Sequence, residues 1–213
     1  MTDKVARILD TLDQMFPDAT VELHHKNPFE LLVAVVLSAQ TTDVSVNKVT
    51  PALFEKYPDA FALAKADLKD LENKLRFIGL FRNKAKNIKL LSEQLVEKHH
   101  GNVPSDRHEI ESLAGVGRKT ANVVLSNAFG VPALAVDTHV ARVAVRLGLA
   151  KKGDNVMKIE EKLNRKIPKE KWQKVHHQFI FFGRYHCLAR QPKCIQCPLF
   201  DLCTDPIKNK TSH

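Results

Sequence analysis

All four cysteines of this 213-residue chain lie in one seventeen-residue stretch, Cys187-x6-Cys194-x2-Cys197-x5-Cys203. Cross-links confined to so short a stretch cannot staple distant parts of a fold, so this is not a secreted disulfide framework. The rest of the chain must hold together by burying apolar surface. With 44% hydrophobic residues it has the means to do so. Four thiolates in a loop can instead surround a metal centre. A structural all-cysteine zinc site usually brings two closely spaced cysteine pairs, and only the Cys194/Cys197 pair has that spacing here. An iron–sulfur cluster is therefore favoured over zinc, with disulfides third.

The apolar residues recur with a helical period almost throughout. Val5, Ile8, Leu9, Leu12, Met15 and Phe16 mark one face of a first helix. Asn27-Pro28 supplies a cap and a first helical position for a buried helix over Phe29–Ser38. Pro51 kinks or splits the stretch from Asp43 to Tyr57. Further helices are expected from Asp59, from Asp67, from Arg82 to His99 with Gly101 as its stop, from Asp106 to Leu113, and from Lys119 to Phe129. Three more run from Asp137 to Leu147, Asp154 to Ile167 and Glu170 to Arg184, leaving a polar tail, Lys208–His213, expected to be disordered. Only Val131–Val136 hints at a strand, so the fold class is all-α. The charge-mixed start MTDKVARILD does not look like a secretory leader, and the longest aliphatic run, Leu31–Leu37, is too short to span a membrane.

Charge is distributed unevenly. Residues 133–213 carry 16 basic against seven acidic side chains, which accounts for the whole net charge of +9. Arg76, Arg82, Lys84, Lys86 and Lys89 form a second basic block without an acid between them. Such charge fits either a solvated helical face or a nucleic-acid contact.

Two helices are joined by Leu113-Ala-Gly115-Val-Gly117-Arg118-Lys119-Thr120. Glycines permit positive φ and close backbone approach, and amides at the start of the next helix can hold a phosphate. A similar pattern, with Gly, apolar, any, Arg and then Ala, occurs 36 residues earlier around Gly79-Leu80-Phe81-Arg82. Lys119, at a helix N-terminus beside Arg118, sits in positive potential that disfavours its ammonium form and suits it to act as a nucleophile. The alternative is one more phosphate-contacting cation. Asp137 stands where the next helix begins, which makes it an N-cap whose ionised carboxylate could also stabilise a developing oxocarbenium ion. Within the cysteine loop, Arg190 and Lys193 are placed to meet a phosphate.

In this order and spacing, the glycine hairpin with Lys119, Val136-Asp137-Thr138-His139 and the four-cysteine run closely resemble the endonuclease III family of DNA glycosylases. Leu37-Ser-Ala-Gln40-Thr-Thr-Asp43, Ile78-Gly79-Leu80 and Gly117-Arg-Lys-Thr-Ala-Asn-Val-Val124 carry the likeness over nearly the whole chain. Two departures are Ala114, where the family usually has Pro, and Pro51 inside a family helix.

The resemblance implies a two-lobed helix-hairpin-helix glycosylase fold with DNA bound across the cleft. A six-helix domain would span residues 21–132, and an iron–sulfur domain would combine residues 1–20 and 133–213, with its cluster loop at 187–203. It implies a 4Fe–4S cluster on Cys187, Cys194, Cys197 and Cys203. Its substrate would be duplex DNA carrying oxidised pyrimidines or abasic sites, attacked by Lys119 with Asp137 assisting and nicked by β-elimination. Gln40 and Leu80 would enter the space left by a flipped nucleotide, and His139 would contact a backbone phosphate or else be a helix-surface histidine. Gly115, Gly117, Arg118 and Thr120 would grip the backbone. The protein is expected to be a cytoplasmic monomer, nucleoid-associated if bacterial, without membrane contact. An adenine-mismatch glycosylase generally lacks the hairpin Lys and continues into a further domain, whereas this sequence has Lys119 and ends ten residues after Cys203. A non-catalytic DNA-binding module with a structural metal would leave the pairing of Lys119 with Asp137 unexplained.

Overall fold

The computed structural model describes residues 2–210, with Lys210 described by its backbone alone. Twelve α-helices occur among the described residues: α1 Asp3–Met15, α2 Pro28–Leu37, α3 Asp43–Lys56, α4 Ala60–Ala64, α5 Leu68–Leu75, α6 Phe81–His99, α7 Arg107–Glu111, α8 Arg118–Phe129, α9 Thr138–Arg146, α10 Val156–Lys166, α11 Trp172–Phe181 and α12 Ile207–Lys210. No strand occurs among them.

Short polar side chains set most of the helix starts. Thr2, Asn27, Thr42, Asp59, Asp67, Asp106, Asp137 and Asn155 each accept a hydrogen bond from a first-turn amide. Each such bond satisfies a donor that the helix itself cannot pair, and loss of the cap costs about 1 kcal/mol.

The backbone divides into two compact units. Val21–Val131 holds α2 to α8. Its centre is α2, buried from Phe29 to Leu37 and packed on α3, α6 and α8. Such a helix can be apolar all round because neighbours cover every face. The other unit, Met1–Thr20 with Pro132–His213, recruits the first helix to a core built largely by the last third of the chain. Val5, Ile8, Leu9 and Leu12 of α1 join Val140, Val143, Leu163, Phe179 and Phe182 there.

Several boundaries differ from the sequence expectation. Pro51 neither splits nor ends α3, which runs from Asp43 to Lys56 through the exposed proline. The stop of α6 is His100, itself left-handed at φ 52°, followed by left-handed Gly101. Val131–Val136 forms no ladder; residues 133–136 are buried without regular structure, and the Ala135 carbonyl lies 2.8 Å from His176 Nδ1. The expected single helix over Glu170–Arg184 is a 3₁₀ turn at Lys169–Lys171, then α11, then a π-helical turn at Phe182–His186. Of the tail, Lys208–Lys210 belong to α12, while residues 211–213 lie outside the described residues.

Candidate functional site

In the Val21–Val131 unit, the hairpin between α7 and α8 is fixed from below. Gly115 adopts φ +75°, and a Cβ there would meet Asn87 Cβ at 3.0 Å, so both conformation and space require glycine. Gly117 is different. It is the extended N-cap of α8 at φ −106°, with nothing within 4 Å of where a Cβ would stand. The expectation of positive φ thus holds for one glycine of the pair, and the other leaves open space before the first turn. The Ala114 amide donates to Gln94 Oε1 at 2.8 Å, a bond that the proline usual at this position could not make.

Helix α8 has no side-chain cap and no acid in its first turn, which carries Arg118 and Lys119, both exposed, and half-buried Thr120. The inner residues from Ala121 to Ser126 are buried, so the lysine stands on the first turn of a helix anchored along its length. Uncapped amides and the positive end of the helix dipole make this turn a place for an anion.

The segment after α2 and the turn before α6 meet. Gln40 and Leu80 are both left-handed, at φ 53° and 57°, although neither is glycine. A Cβ on Gly79 would lie 4.0 Å from the Gln40 carbonyl oxygen and from Thr41 Oγ1. Lys84, only 4% exposed, donates from Nζ to Thr41 Oγ1 at 2.5 Å and so ties α6 to this segment. Burial holds its ammonium pKa below the ordinary lysine value. The five-cation block therefore divides by role: Arg76, Arg82 and Lys86 are exposed, whereas Lys84 is interior and Lys89 donates to the Ala64 and Ala66 carbonyls at 2.7 and 2.9 Å. Strained backbone of this kind persists only where surrounding structure enforces it.

In the other unit, Asp137 caps α9, accepting from the Val140 amide at 2.8 Å. It is half-buried, one residue after the buried run that ends at Val136. His139 stands on the first turn of α9, 3.2 Å by Nδ1 from Arg142 Nη2. Burial pulls its imidazole below the usual histidine range, although the Asp137 carboxylate acts in the opposite direction. Helix α9 comes unusually close to the π-helical turn: a Cβ on Gly183 would stand 2.9 Å from His139 Cβ. That turn delivers Cys187, whose amide donates to the Phe182 carbonyl at 2.6 Å.

Cys187, Cys194, Cys197 and Cys203 line one pocket of about 370 Å³, open mouth included, with Arg146, Phe182, Pro192, Lys193 and Phe200 among its other walls. Among the described residues no three His, Cys, Asp or Glu crowd together tightly enough to hold a single ion. Four thiol corners spread around a mostly apolar pocket fit a polynuclear group. Burial pushes the Cys197 thiol up to about 11 and raises the Cys187 thiol, so loading the site must displace protons. Arg146 donates to Cys187 Sγ at 3.3 Å and to the Leu188 and Ala189 carbonyls at 2.6 and 3.1 Å, and Arg142 donates from Nε to the Cys187 carbonyl at 3.2 Å. Sequence reading missed both arginines. Their only signal is the i, i+4 spacing of two cations on a helix whose neighbouring face is apolar. Lys193 lines the pocket and is exposed, while Arg190 lies exposed on the same loop.

The fold and these sites define a helix-hairpin-helix protein with a cysteine-held cluster loop. Residues 33–169 match the HhH-GPD superfamily of base excision DNA repair proteins, and residues 187–203 match the iron-sulfur binding domain of endonuclease III. The chain is 55% identical over 197 residues to endonuclease III of Bacillus subtilis, covering 92% of this chain and 90% of that one. It is 49% identical to endonuclease III of Haemophilus influenzae, covering 94% of each. A solved structure of a trapped endonuclease III–DNA covalent intermediate, an estranged-adenine complex, aligns with a TM-score of 0.94 at 55% identity, covering 99% of this chain and 100% of that one. The chain belongs to the endonuclease III family. It is a base-excision repair DNA glycosylase with lyase activity, and its cofactor is a 4Fe–4S cluster.

Proposed function

We propose that the enzyme removes oxidised pyrimidines from duplex DNA and nicks the abasic strand, with Lys119 as nucleophile and Asp137 as its electrostatic partner. The observation that carries the reading is an exposed lysine on the uncapped first turn of a buried helix, where an approaching phosphate and the reacting sugar can share one anchored element.

The damaged nucleotide leaves the stack, which costs less for a lesion that already stacks poorly. The neutral Lys119 amine attacks the sugar C1′ as the C1′–N bond to the base breaks. The base departs with that bonding pair and takes up a proton. The Asp137 carboxylate, oriented by its cap bond to Val140, stabilises positive charge on the sugar ring in the transition state. Loss of a proton from nitrogen and opening of the ring give a Schiff base between Lys119 and C1′. A proton then leaves C2′ and the C3′–O bond breaks, cutting the strand 3′ to the sugar. Gln40 and Leu80 fill the vacated space. Gly115, Gly117, Arg118, Thr120 and His139, with Arg190 and Lys193 from the cluster loop, hold the backbone.

Cys187, Cys194, Cys197 and Cys203 hold the cluster. A cluster bound to these thiolates would brace the loop that presents Arg190 and Lys193. Duplex DNA with damaged pyrimidines or abasic sites is the partner, and the protein acts as a cytoplasmic monomer, nucleoid-associated if bacterial. No helix among the described residues is long and apolar enough to cross a membrane.

A panel of duplexes, each with one defined lesion and scored separately for base release and strand scission, tests the substrate class. Release and nicking should be strongest for oxidised pyrimidines. Preference for adenine in a mismatch, with release but no nicking, would overturn the reading.

A further inference from the structure

Phe77 is 74% exposed, more than any other large apolar side chain among the described residues. The interior place at this turn is taken by Ile78 next to it, 3% exposed, with its amide bonded to the Leu75 carbonyl at 3.0 Å. Leu80, 57% exposed, projects from the same short turn. The Arg76 guanidinium lies over the Phe77 ring at 4.7 Å from its centroid, and Arg82 lies over Phe81 at 5.0 Å. An exposed ring beside a guanidinium, in a stretch with no acid from Arg76 to Lys89, has the composition of a stacking surface for single bases: π-face for the base, cation for the backbone. The turn is also held rigid, since left-handed Leu80 begins α6 and Lys84 ties that helix to Thr41. A preorganised apolar projection loses little freedom on contact.

We infer that Phe77 stacks on a nucleobase of the undamaged strand beside the space that Leu80 enters, and so helps to select duplexes from which a base has been displaced. The inference rests on the reading of Leu80 given above. Intact duplex keeps its bases stacked on one another, so the ring finds a partner only where the stack is broken.

The test uses the full-length enzyme on a duplex carrying a tetrahydrofuran abasic analogue, with 5-iodouracil in the undamaged strand opposite the analogue or next to that position. Irradiation should give a cross-link that peptide mapping places on Phe77. Phe77→Leu, which keeps apolar bulk but removes the ring, should weaken binding to this duplex about fivefold or more while leaving affinity for undamaged duplex unchanged. A cross-link absent from Phe77, or affinity of the Leu variant within about twofold of wild type, overturns the inference. Leu80→Ala is measured in parallel. If it weakens binding and Phe77→Leu does not, only the Phe77 inference falls; if neither weakens binding, the turn lies outside the duplex and the reading of Leu80 falls with it.

Discussion

Arg146 Nη1 lies 3.3 Å from Cys187 Sγ, and the same nitrogen donates to the Leu188 carbonyl at 2.6 Å. One planar side chain, 7% exposed, thus serves the Cys187 thiol and the loop beyond it, while the Arg146 carbonyl accepts from the Thr204 amide at 2.8 Å at the other end of the cysteine run. Arg146→Ala would leave the Leu188 and Ala189 carbonyls and the Cys187 sulfur short of donors. A loss of about 2–3 kcal/mol is expected, together with reduced iron content in the purified protein. Arg146→Lys should recover only part of both, since an ammonium cannot span three acceptors with a planar fork. Iron content and urea midpoint equal to wild type in the alanine variant would show that the guanidinium is dispensable.

Asp137 caps α9 and, in the proposed mechanism, also stabilises charge on the sugar; substitution separates the two duties. Asparagine caps a helix about as well as aspartate, so Asp137→Asn should retain the bond to Val140 and change stability by a few tenths of a kcal/mol. Asp137→Ala should cost about 1 kcal/mol. Both should lose base release by a hundredfold or more, on the order of removing one electrostatic stabiliser. Both should still cleave preformed abasic sites, where there is no base to expel. Full base release by the asparagine variant would restrict Asp137 to capping.

The two hairpin glycines should fail in different ways. Gly115→Ala puts a side chain into left-handed backbone and against Asn87, and should destabilise the Val21–Val131 unit by about 1–2 kcal/mol. Gly117→Ala meets nothing in the protein and sits in extended backbone, so stability should hold. Any loss there should be in DNA affinity alone, through a methyl group placed before the uncapped turn. Thermal melting and binding to an abasic duplex, measured on both variants, check the contrast.

These cases show what the sequence makes legible. Local chemistry reads directly: the caps at Asn27, Asp59, Asp67, Asp106 and Asp137, and the cysteine spacing, depend on residues a few positions apart. What was missed depends on distant neighbours. Helical spacing puts Lys84, unlike Lys86, in register with buried Ile88, Leu91 and Leu95, but its partner Thr41 lies 43 residues away and only the fold supplies it. The π-helical turn before Cys187 packs through Gly183 against His139, 44 residues away in sequence. The strand suggested by Val131–Val136 is an irregular segment, buried only over residues 133–136, and the described residues hold no strand to pair with it. Alternation alone could not reveal that lack of a partner.

Acid should destabilise the unit that holds the cluster. Burial drives the His177 imidazole down to about 3 from 6.5. The unfolded chain therefore binds a proton there that the folded chain refuses, and stability falls as pH drops from about 6.5 toward about 3. His177→Gln should flatten the loss of melting temperature between about pH 6.5 and 4.5 relative to wild type. An identical pH slope in the two proteins would mean that this histidine does not govern acid lability.

Borohydride reduction during reaction with an abasic or thymine-glycol duplex asks whether Lys119 joins the substrate. The trapped protein–DNA adduct should map to the peptide bearing Lys119 and should disappear in Lys119→Gln while the variant still binds the duplex. An adduct of undiminished yield in Lys119→Gln, or one mapped to another lysine in the wild-type enzyme, contradicts the assignment.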